Sequence, residues 1–387
     1  MNKIPKGWEK VKFEDVLKYE QPSKYIVKST KYNNDYKTPV LTAGKGFILG
    51  YTNETDGIFK DTPVIIFDDF TTSSQYVNFH FKVKSSAMKI LRPVDNVNLK
   101  FLFYKMQTIQ HKSDTHKRYW ISEYAKREIY IPNLVEQKAI TDKLDDSFAK
   151  IENAITNLIN AKENLKLYKQ SVLKSAFNGD LLPNTSPTHW EVKKLKDIGK
   201  ISSGGTPSTS NDNNFGGNIA WITPADLTGY KDKFISKGKR NLSEEGLKNS
   251  SAKILPKGTI LFSSRAPIGY VAIAQNEIST NQGFKNLTPN ESVISEYVYY
   301  YLLGAKNLAE QSASGTTFKE ISATAFSNLP IPLPPLSEQN LIVAEIDKRF
   351  EVVDKTLNLI DKSIQNAKNL KQSILKKAFS GELRSEI

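Results

Sequence analysis

Cysteine is absent from this chain, and histidine and methionine are scarce. The lack of cysteine excludes disulfides and thiolate metal sites. The four histidines, His80, His111, His116 and His189, show no ligand spacing, which argues against zinc. Long apolar runs are missing: none approaches the roughly 18–20 residues that a membrane-spanning helix needs. Met1-Asn2-Lys3-Ile4-Pro5 does not open a signal peptide. The expectation is a soluble, cytoplasmic protein. Catalytic signatures are missing as well. A nucleotide-binding loop reads Gly-x-x-x-x-Gly-Lys-Ser/Thr so that backbone amides cradle phosphate, and Ala43-Gly44-Lys45-Gly46 does not provide it. No Asn/Asp-Pro-Pro-Tyr/Phe stretch is present to hold a base amine for methyl transfer. Asp180 with Glu191-Val192-Lys193 mimics the carboxylate pair of a metal nuclease. The matching Trp8-Glu9-Lys10-Val11 has no such partner, so Glu191 reads as surface beside an anchoring Trp190.

What the chain has in excess is positive charge: 54 Lys and Arg against 41 Asp and Glu, a net +13. That balance favours a polyanionic partner. Nucleic acid leads, an anionic membrane surface is second, and a solvated lysine-rich exterior is the bland alternative. With 387 residues, 39% hydrophobic and 10% aromatic, there is material for two or three domains with real cores.

The chain also says the same thing twice. Glu136-Gln137 recurs 202 positions later as Glu338-Gln339. Ala176-Phe177-Asn178-Gly179-Asp180-Leu181 recurs at the same interval as Ala378-Phe379-Ser380-Gly381-Glu382-Leu383. Between these marks the apolar residues fall at spacings of three and four. They are Phe148, Ile151, Ile155, Leu158, Leu165 and Val172 in one copy, with Lys162 and Lys169 in the seam, and Phe350, Val353, Leu357, Ile360, Ile364, Ala367 and Ile374 in the other. The spacing predicts two long helices paired as a coiled coil, against the alternative of ordinary amphipathic helices packed on globular domains. Gly179 and Gly381 are suited to end them. Pro332 and its neighbours Pro334 and Pro335 bar an earlier start for the second, with Ser337 as the expected N-cap. A pseudo-twofold relation makes the pair antiparallel, with Ile151, Ile155 and Leu158 expected to face Val353, Leu357 and Ile360.

The stretches before the helices correspond more loosely. Trp8-Glu9 matches Trp190-Glu191, and Ile121-Ser122 and Ile131-Pro132 match Ile321-Ser322 and Ile331-Pro332. Val64-Ile65-Ile66-Phe67 reads as a buried strand. Val77, Phe79, Phe81 and Val83 alternate with Asn78, His80, Lys82 and Lys84, as in a half-buried strand with a basic outer face. In the second stretch, Thr259-Ile260-Leu261-Phe262 and Tyr270-Val271-Ala272-Ile273 are the corresponding strands. One helix is expected in each, near 99–109 and near 298–308. The fold class is α+β, with twisted sheets. The recognition candidates are polar loops at matched places. In the first half they hold Thr42, Lys45, Thr71, Thr72, Ser73, Lys89, Lys117, Arg118 and Tyr119. In the second they hold Ser203, Gly204, Gly205, Thr206, Ser208, Thr223, Arg265, Gln282, Lys285, Thr316 and Lys319. Ser202-Ser203-Gly204-Gly205-Thr206-Pro207-Ser208 reads as a flexible, hydroxyl-rich loop. Arg265, on a turn after a strand, is of the type that reads guanine bidentately.

Gly204-Gly205-Thr206-Pro207-Ser208, Trp221-Ile222-Thr223-Pro224-Ala225-Asp226-Leu227, Ser264-Arg265-Ala266-Pro267-Ile268-Gly269, and Ile331-Pro332 through Glu338-Gln339 to Leu383 together carry a resemblance. Over about residues 4–385 the chain resembles the specificity subunit of a type I restriction–modification enzyme. The first half departs from the pattern, with Thr38-Pro39-Val40-Leu41-Thr42-Ala43-Gly44-Lys45 in place of the Gly-Gly-Thr-Pro-Ser loop. The resemblance implies target-recognition domains at 1–130 and 183–330, with spacer helices at 131–182 and 331–387. Each domain would read half of a bipartite, asymmetric double-stranded DNA sequence. The helices would dock two modification subunits that bind S-adenosylmethionine and methylate adenine. Two restriction subunits would join with ATP and Mg2+. The chain itself would be non-catalytic and carry no cofactor or metal. The alternative is a stand-alone DNA-binding regulator or architectural protein.

Overall fold

The computed structural model describes residues 6–42, 46–109, 118–183, 189–315 and 319–383. The chain divides into two units: Met1–Ile159 with Asp361–Ile387, and Asn160–Ile360. Each unit contains a head and half of each of two long helices, Leu134–Asn178 and Leu336–Ser380. At 45 residues apiece, each helix rises about 67 Å at roughly 1.5 Å per residue.

In the first unit, Glu9–Lys12 pairs antiparallel with Glu128–Ile131, closing the head directly before the long helix. A four-stranded antiparallel sheet runs in the order Leu17–Glu20, Met88–Pro93, Val64–Asp68, Ser74–Val77. The Val64–Asp68 strand is buried throughout, as its unbroken apolar run requires. The expected alternating strand over 77–84 does not form as one piece. Its residues belong to different sheets: Lys82–Val83 pairs in parallel with Thr38–Leu41. Lys82 is buried, not on a basic outer face, because its ammonium bonds the Asp56 carbonyl at 2.7 Å and the Glu54 carboxylate at 2.9 Å.

The second unit repeats the plan with more material. Glu191–Lys194 pairs with Pro330–Leu333. A five-stranded sheet follows the order Gly199–Ser203, Phe284–Pro289, Ile260–Ser263, Val271–Ala274, Phe234–Ile235. A three-stranded sheet holds Arg240–Leu242, Phe215–Ile222 and Ser279–Thr280. The head helix expected near 99–109 is Leu99–Gln107. Its counterpart is broken at Ala305 into Ser295–Gly304 and Lys306–Gln311, next to a glycine with poor helix propensity.

The repeated Glu-Gln dipeptide proves to be the fastening between each head and its helix. Gln137 is buried; its amide oxygen accepts from the Asn98 N–H at 2.8 Å and its amide nitrogen donates to the Pro132 carbonyl at 2.8 Å. Gln339 accepts from the Ile294 N–H at 3.0 Å and donates to the carbonyls of Ser292 and Pro334. Asn98 and Ile294 are the N-cap residues of the two head helices. Beside the glutamines, the Trp8 indole donates to Glu136 at 2.9 Å, and the Trp190 indole donates to Glu338 at 2.9 Å. About two turns further in, Tyr104 and Lys100 bind Asp145, and Tyr300 and Lys233 bind Asp347. Asp145 and Asp347 stand 202 positions apart, as do Phe148 and Phe350, on which the two tyrosines rest edge-on.

The helices start and stop by different means. Asn133 caps the first, accepting from the Glu136 N–H at 3.0 Å. The equivalent of Asn133 in the second copy is Pro335, and that helix begins at Leu336. Ser337 therefore lies inside the helix and is not its N-cap. Both helices end on a left-handed glycine, Gly179 at φ 82° and Gly381 at φ 81°. In the first unit the start of the first helix lies with the end of the second: Lys371 bonds Glu152 at 2.5 Å and sits over the Phe148 ring. In the second unit Lys169 bonds Asp354 at 2.6 Å and sits over Phe350. The pairing is antiparallel. The seam residues Phe148, Ile151, Val172, Phe350, Val353 and Ile360 are buried, and Ile155, Leu158, Leu165, Leu357, Ile364 and Ile374 are half-buried. Ile151 and Ile155 share their cluster with Ala367, Ile374 and Leu375, not with Val353 and Leu357. In an antiparallel pair the first half of one helix meets the last half of the other, which sets Ile151 with Ala367, Ile374 and Leu375.

Two outcomes follow. Gln339→Met keeps the volume but orphans buried backbone groups, at about 1–3 kcal/mol each; urea denaturation should show the loss. Burial alone would raise the Glu338 carboxyl, but bonds from Trp190 and His189 outweigh it and hold it below the usual range. A depressed carboxyl stabilises the fold above its unfolded pKa and loses that contribution as pH falls through the folded value. The stability gap between wild type and Glu338→Gln should therefore shrink below about pH 4.3, read from denaturation at a series of pH values.

Candidate nucleic-acid interface

At one end of the second head, three strands bring their tips together. Their register sets Ser203 opposite Lys285 and Ser263 opposite Phe284. The Ser264 N–H donates to the Gly283 carbonyl at 2.7 Å, and the Ile321 N–H to the Ser264 carbonyl at 3.1 Å. Arg265 forms a β-bridge with Glu320. Ser203, Arg265, Gln282, Lys285 and Lys319 are thus gathered by backbone pairing, although they lie far apart in sequence. Ser203, Gln282 and Lys319 are exposed. Thr316 lies outside the described residues.

At the centre of this tip is an acid. One Glu320 oxygen lies 3.2 Å from the Lys285 ammonium and accepts from the Ser264 hydroxyl at 3.3 Å. The other lies 3.4 Å from Arg265 Nη1. The lysine is buried, while the arginine and glutamate are half-buried, with side chains 40% and 35% exposed.

The glycine loop differs from its expectation. Gly204 and Gly205 are buried, not flexible. A Cβ on Gly204 would sit 2.0 Å from the Asn281 carbonyl oxygen, and one on Gly205 2.2 Å from the Ala252 nitrogen. The Trp221 indole donates to the Gly205 carbonyl at 3.1 Å. These glycines allow backbone to pack on backbone and are closed to a ligand. The Thr206 hydroxyl is buried, Ser208 is exposed, and Thr223 is occupied with Asp226, to which its N–H and hydroxyl both donate.

The first head forms a comparable tip. A tight turn over 68–73 is pinned by Asp68, which accepts from the N–H groups of Phe70 and Thr71. Thr72 adopts φ 58°. Thr71 and Ser73 are exposed and Thr72 is half-buried. The Asp69 N–H donates to Ala87, which ties this turn to the exposed Lys84, Ser85 and Ser86. Thr42, half-buried, ends the neighbouring strand, whose Leu41 carbonyl accepts from the Lys84 N–H. Arg118 is exposed beside them. Lys45 and Lys117 lie outside the described residues.

Two candidates of the first head cannot meet DNA as they stand. Lys89 has 0% exposure, its ammonium 3.2 Å from Asp69, itself 1% exposed. Tyr119 is buried, its N–H donating to the Asp69 carbonyl. Lys89 and Lys285 hold the same place in the sheet, opposite Phe67 and Phe262. In each head that lysine is neutralised by a carboxylate, Asp69 or Glu320, that reading the sequence for basic and hydroxyl residues passed over. The signal was an acid within each polar loop, at Asp69 before Thr71 and at Glu320 after Lys319. Glu191 is exposed and paired with Lys193 at 2.5 Å.

The family model for the type I restriction modification DNA specificity domain matches residues 5–161 and 187–369. The chain belongs to this family. The type I restriction enzyme EcoR124I/EcoR124II specificity subunit of Escherichia coli is 34% identical over 354 residues, covering 86% of this chain and 84% of the relative. The MjaIX specificity subunit of Methanocaldococcus jannaschii is 45% identical over 171 residues, 43% of this chain and 39% of its own. In fold, the chain is similar to a solved type I restriction–modification structure with a TM-score of 0.75 at 21% identity, covering 97% of this chain and 98% of the other. It is also similar to the HsdS subunit of Thermoanaerobacter tengcongensis, with a TM-score of 0.58 at 21% identity and 98% coverage of both. This chain is thus a specificity subunit with two DNA recognition domains.

Lys89→Ala in this specificity subunit should cost stability first, about 3–5 kcal/mol, because it strands a buried carboxylate. At temperatures where the variant stays folded, its affinity for a DNA duplex should match wild type. A fall in affinity without a fall in melting temperature would assign Lys89 to the interface instead.

Proposed function

We propose that each head reads one half of a bipartite, asymmetric DNA target, that the long helices set the gap, and that the chemistry is carried out by partners. The observation that carries this reading is the equivalent fastening of two unlike heads. Trp8, Glu136 and Gln137 in one unit, and Trp190, Glu338 and Gln339 in the other, mount heads whose tips differ in sequence, length and charge arrangement. A homodimeric regulator would present two like heads to a palindrome. Two unlike heads on a repeated frame suit two different half-sites.

The partners in this reading are two modification subunits that bring S-adenosylmethionine to an adenine, and two restriction subunits that use ATP and Mg2+. The second helix offers a surface in keeping with docking. Leu341, Val352 and Leu359 are 58%, 60% and 64% exposed, at spacings of 11 and 7 residues that hold one helix face. Residues 1–130 and 183–330 serve as the recognition domains, with 131–182 and 331–387 as spacers.

The full chain coexpressed with its modification subunits should methylate adenine in a two-part motif, and the chain alone should not methylate. Methyl transfer by the purified chain alone would overturn the reading. Inserting four residues after Asn157 lengthens the helix by about 6 Å. Methylome sequencing should then show the same half-sites with about one or two more base pairs between them, at about 3.4 Å each. Binding of the complex should weaken by about 10³–10⁵ between about 50 and about 200 mM salt if about 6–10 phosphates are neutralised.

A further inference from the structure

We infer that Glu320 sets specificity in the second head: it holds Arg265 away from phosphate and, together with that guanidinium, presents a matched acceptor and donor to one G·C base pair. The inference rests on the reading that this tip meets DNA. A half-exposed carboxylate is out of place on a surface that must approach a polyanion, since it repels the phosphates that supply most of the non-specific affinity. Its presence therefore needs a reason. Neutralising the buried Lys285 explains an acid here but not an acid that is left open to solvent, and the pair with Arg265 adds little stability.

The geometry supplies a better reason. Glu320 is fixed from below and from both sides. Its backbone is bridged to Arg265 and to Ser314, and its carboxylate receives the buried Lys285 ammonium and the Ser264 hydroxyl. Lys285 offsets the carboxylate from beneath, which leaves the oxygen on the Arg265 side to orient the guanidinium. Arg265 is in turn carried on a constrained turn, with Ala266 at φ 48° just after it. The contact to Glu320 engages Nη1, one part of a planar group with five N–H donors. A guanidinium so oriented has the pattern for guanine O6 and N7, and a carboxylate beside it has the pattern for the N4 amine of the paired cytosine.

The first head shows that this arrangement is not required to build the sheet. There the lysine at the same position is sealed with Asp69, both groups almost completely buried, and among the described residues no arginine joins them. The scaffold needs a neutralised lysine; among the described residues, the open acid with a second cation is found in the second head.

The test is made with the full chain coexpressed with its modification subunits, read by methylome sequencing, and with the purified chain on a random-sequence DNA duplex. Glu320→Gln should relax the preference at one base pair of the second head's half-site by about tenfold. It should also raise affinity for the random duplex severalfold, because one negative charge is gone. Arg265→Ala should relax the same base pair, and the double variant should relax it no further. Glu320→Asp, which keeps the charge, should retain the preference. An unchanged motif in Glu320→Gln, a change at both half-sites together, or a variant that melts before it can assemble would each return Glu320 to a purely structural role. If the wild-type complex methylates no motif and the wild-type chain binds no duplex, the underlying functional reading fails, and that is seen before any variant is compared.

Discussion

A buried primary amide tolerates little misplacement. Each of its hydrogen-bonding groups must find a partner, and every buried backbone group it serves is orphaned if it moves, at about 1–3 kcal/mol apiece. Gln137 and Gln339 place that constraint at the join between head and helix. Each reaches from the first turn of a long helix to the N-cap residue of a head helix. The indole–carboxylate bond beside it and the tyrosine–aspartate bond about two turns further in add two more fixed points. Three fixed points define an orientation, so each head is held at one angle to its own stretch of helix.

Rigidity at the base leaves the tips free to differ. Both heads keep the same central strands and the same lysine opposite the same phenylalanine. In one head the lysine is closed off by Asp69 beneath the turn that carries Thr71 and Ser73. In the other it is shared with Arg265 through Glu320. A net charge of +13 attracts a polyanion as a whole, yet some of the cations that make up that total are structural. Lys82 and Lys89 are buried and paired. Counting lysines along a loop therefore overstates what DNA can touch.

The helices show the same division between general and particular. The seam is narrow, with several of its apolar residues only half-buried. Its alignment is marked by two equivalent contacts, Lys371 with Glu152 and Phe148, and Lys169 with Asp354 and Phe350. The ion pairs add little free energy on the surface; burial of Phe148 and Phe350, at about 1.5–3 kcal/mol each, weighs more.

The sequence by itself determined everything that depends on repetition and period. Two copies, two long helices, their glycine ends, α+β heads and a polyanionic partner all follow from local spacing and composition, because a helix is specified by residues three and four apart. It also marked Glu136-Gln137 and Glu338-Gln339 as equivalents, without showing what they hold. Tertiary structure alone decided which polar residues stay in water. Lys82, Lys89 and Tyr119 sit in stretches that look exposed, and Gly204-Gly205 looks flexible, yet all are buried by partners that lie far away in the chain. The facing of Ile151 toward the other helix's end was decided the same way. Each depends on a contact between distant segments, such as Asp69 with Lys89 or Asn281 with Gly204, and a one-dimensional pattern carries no record of such a contact.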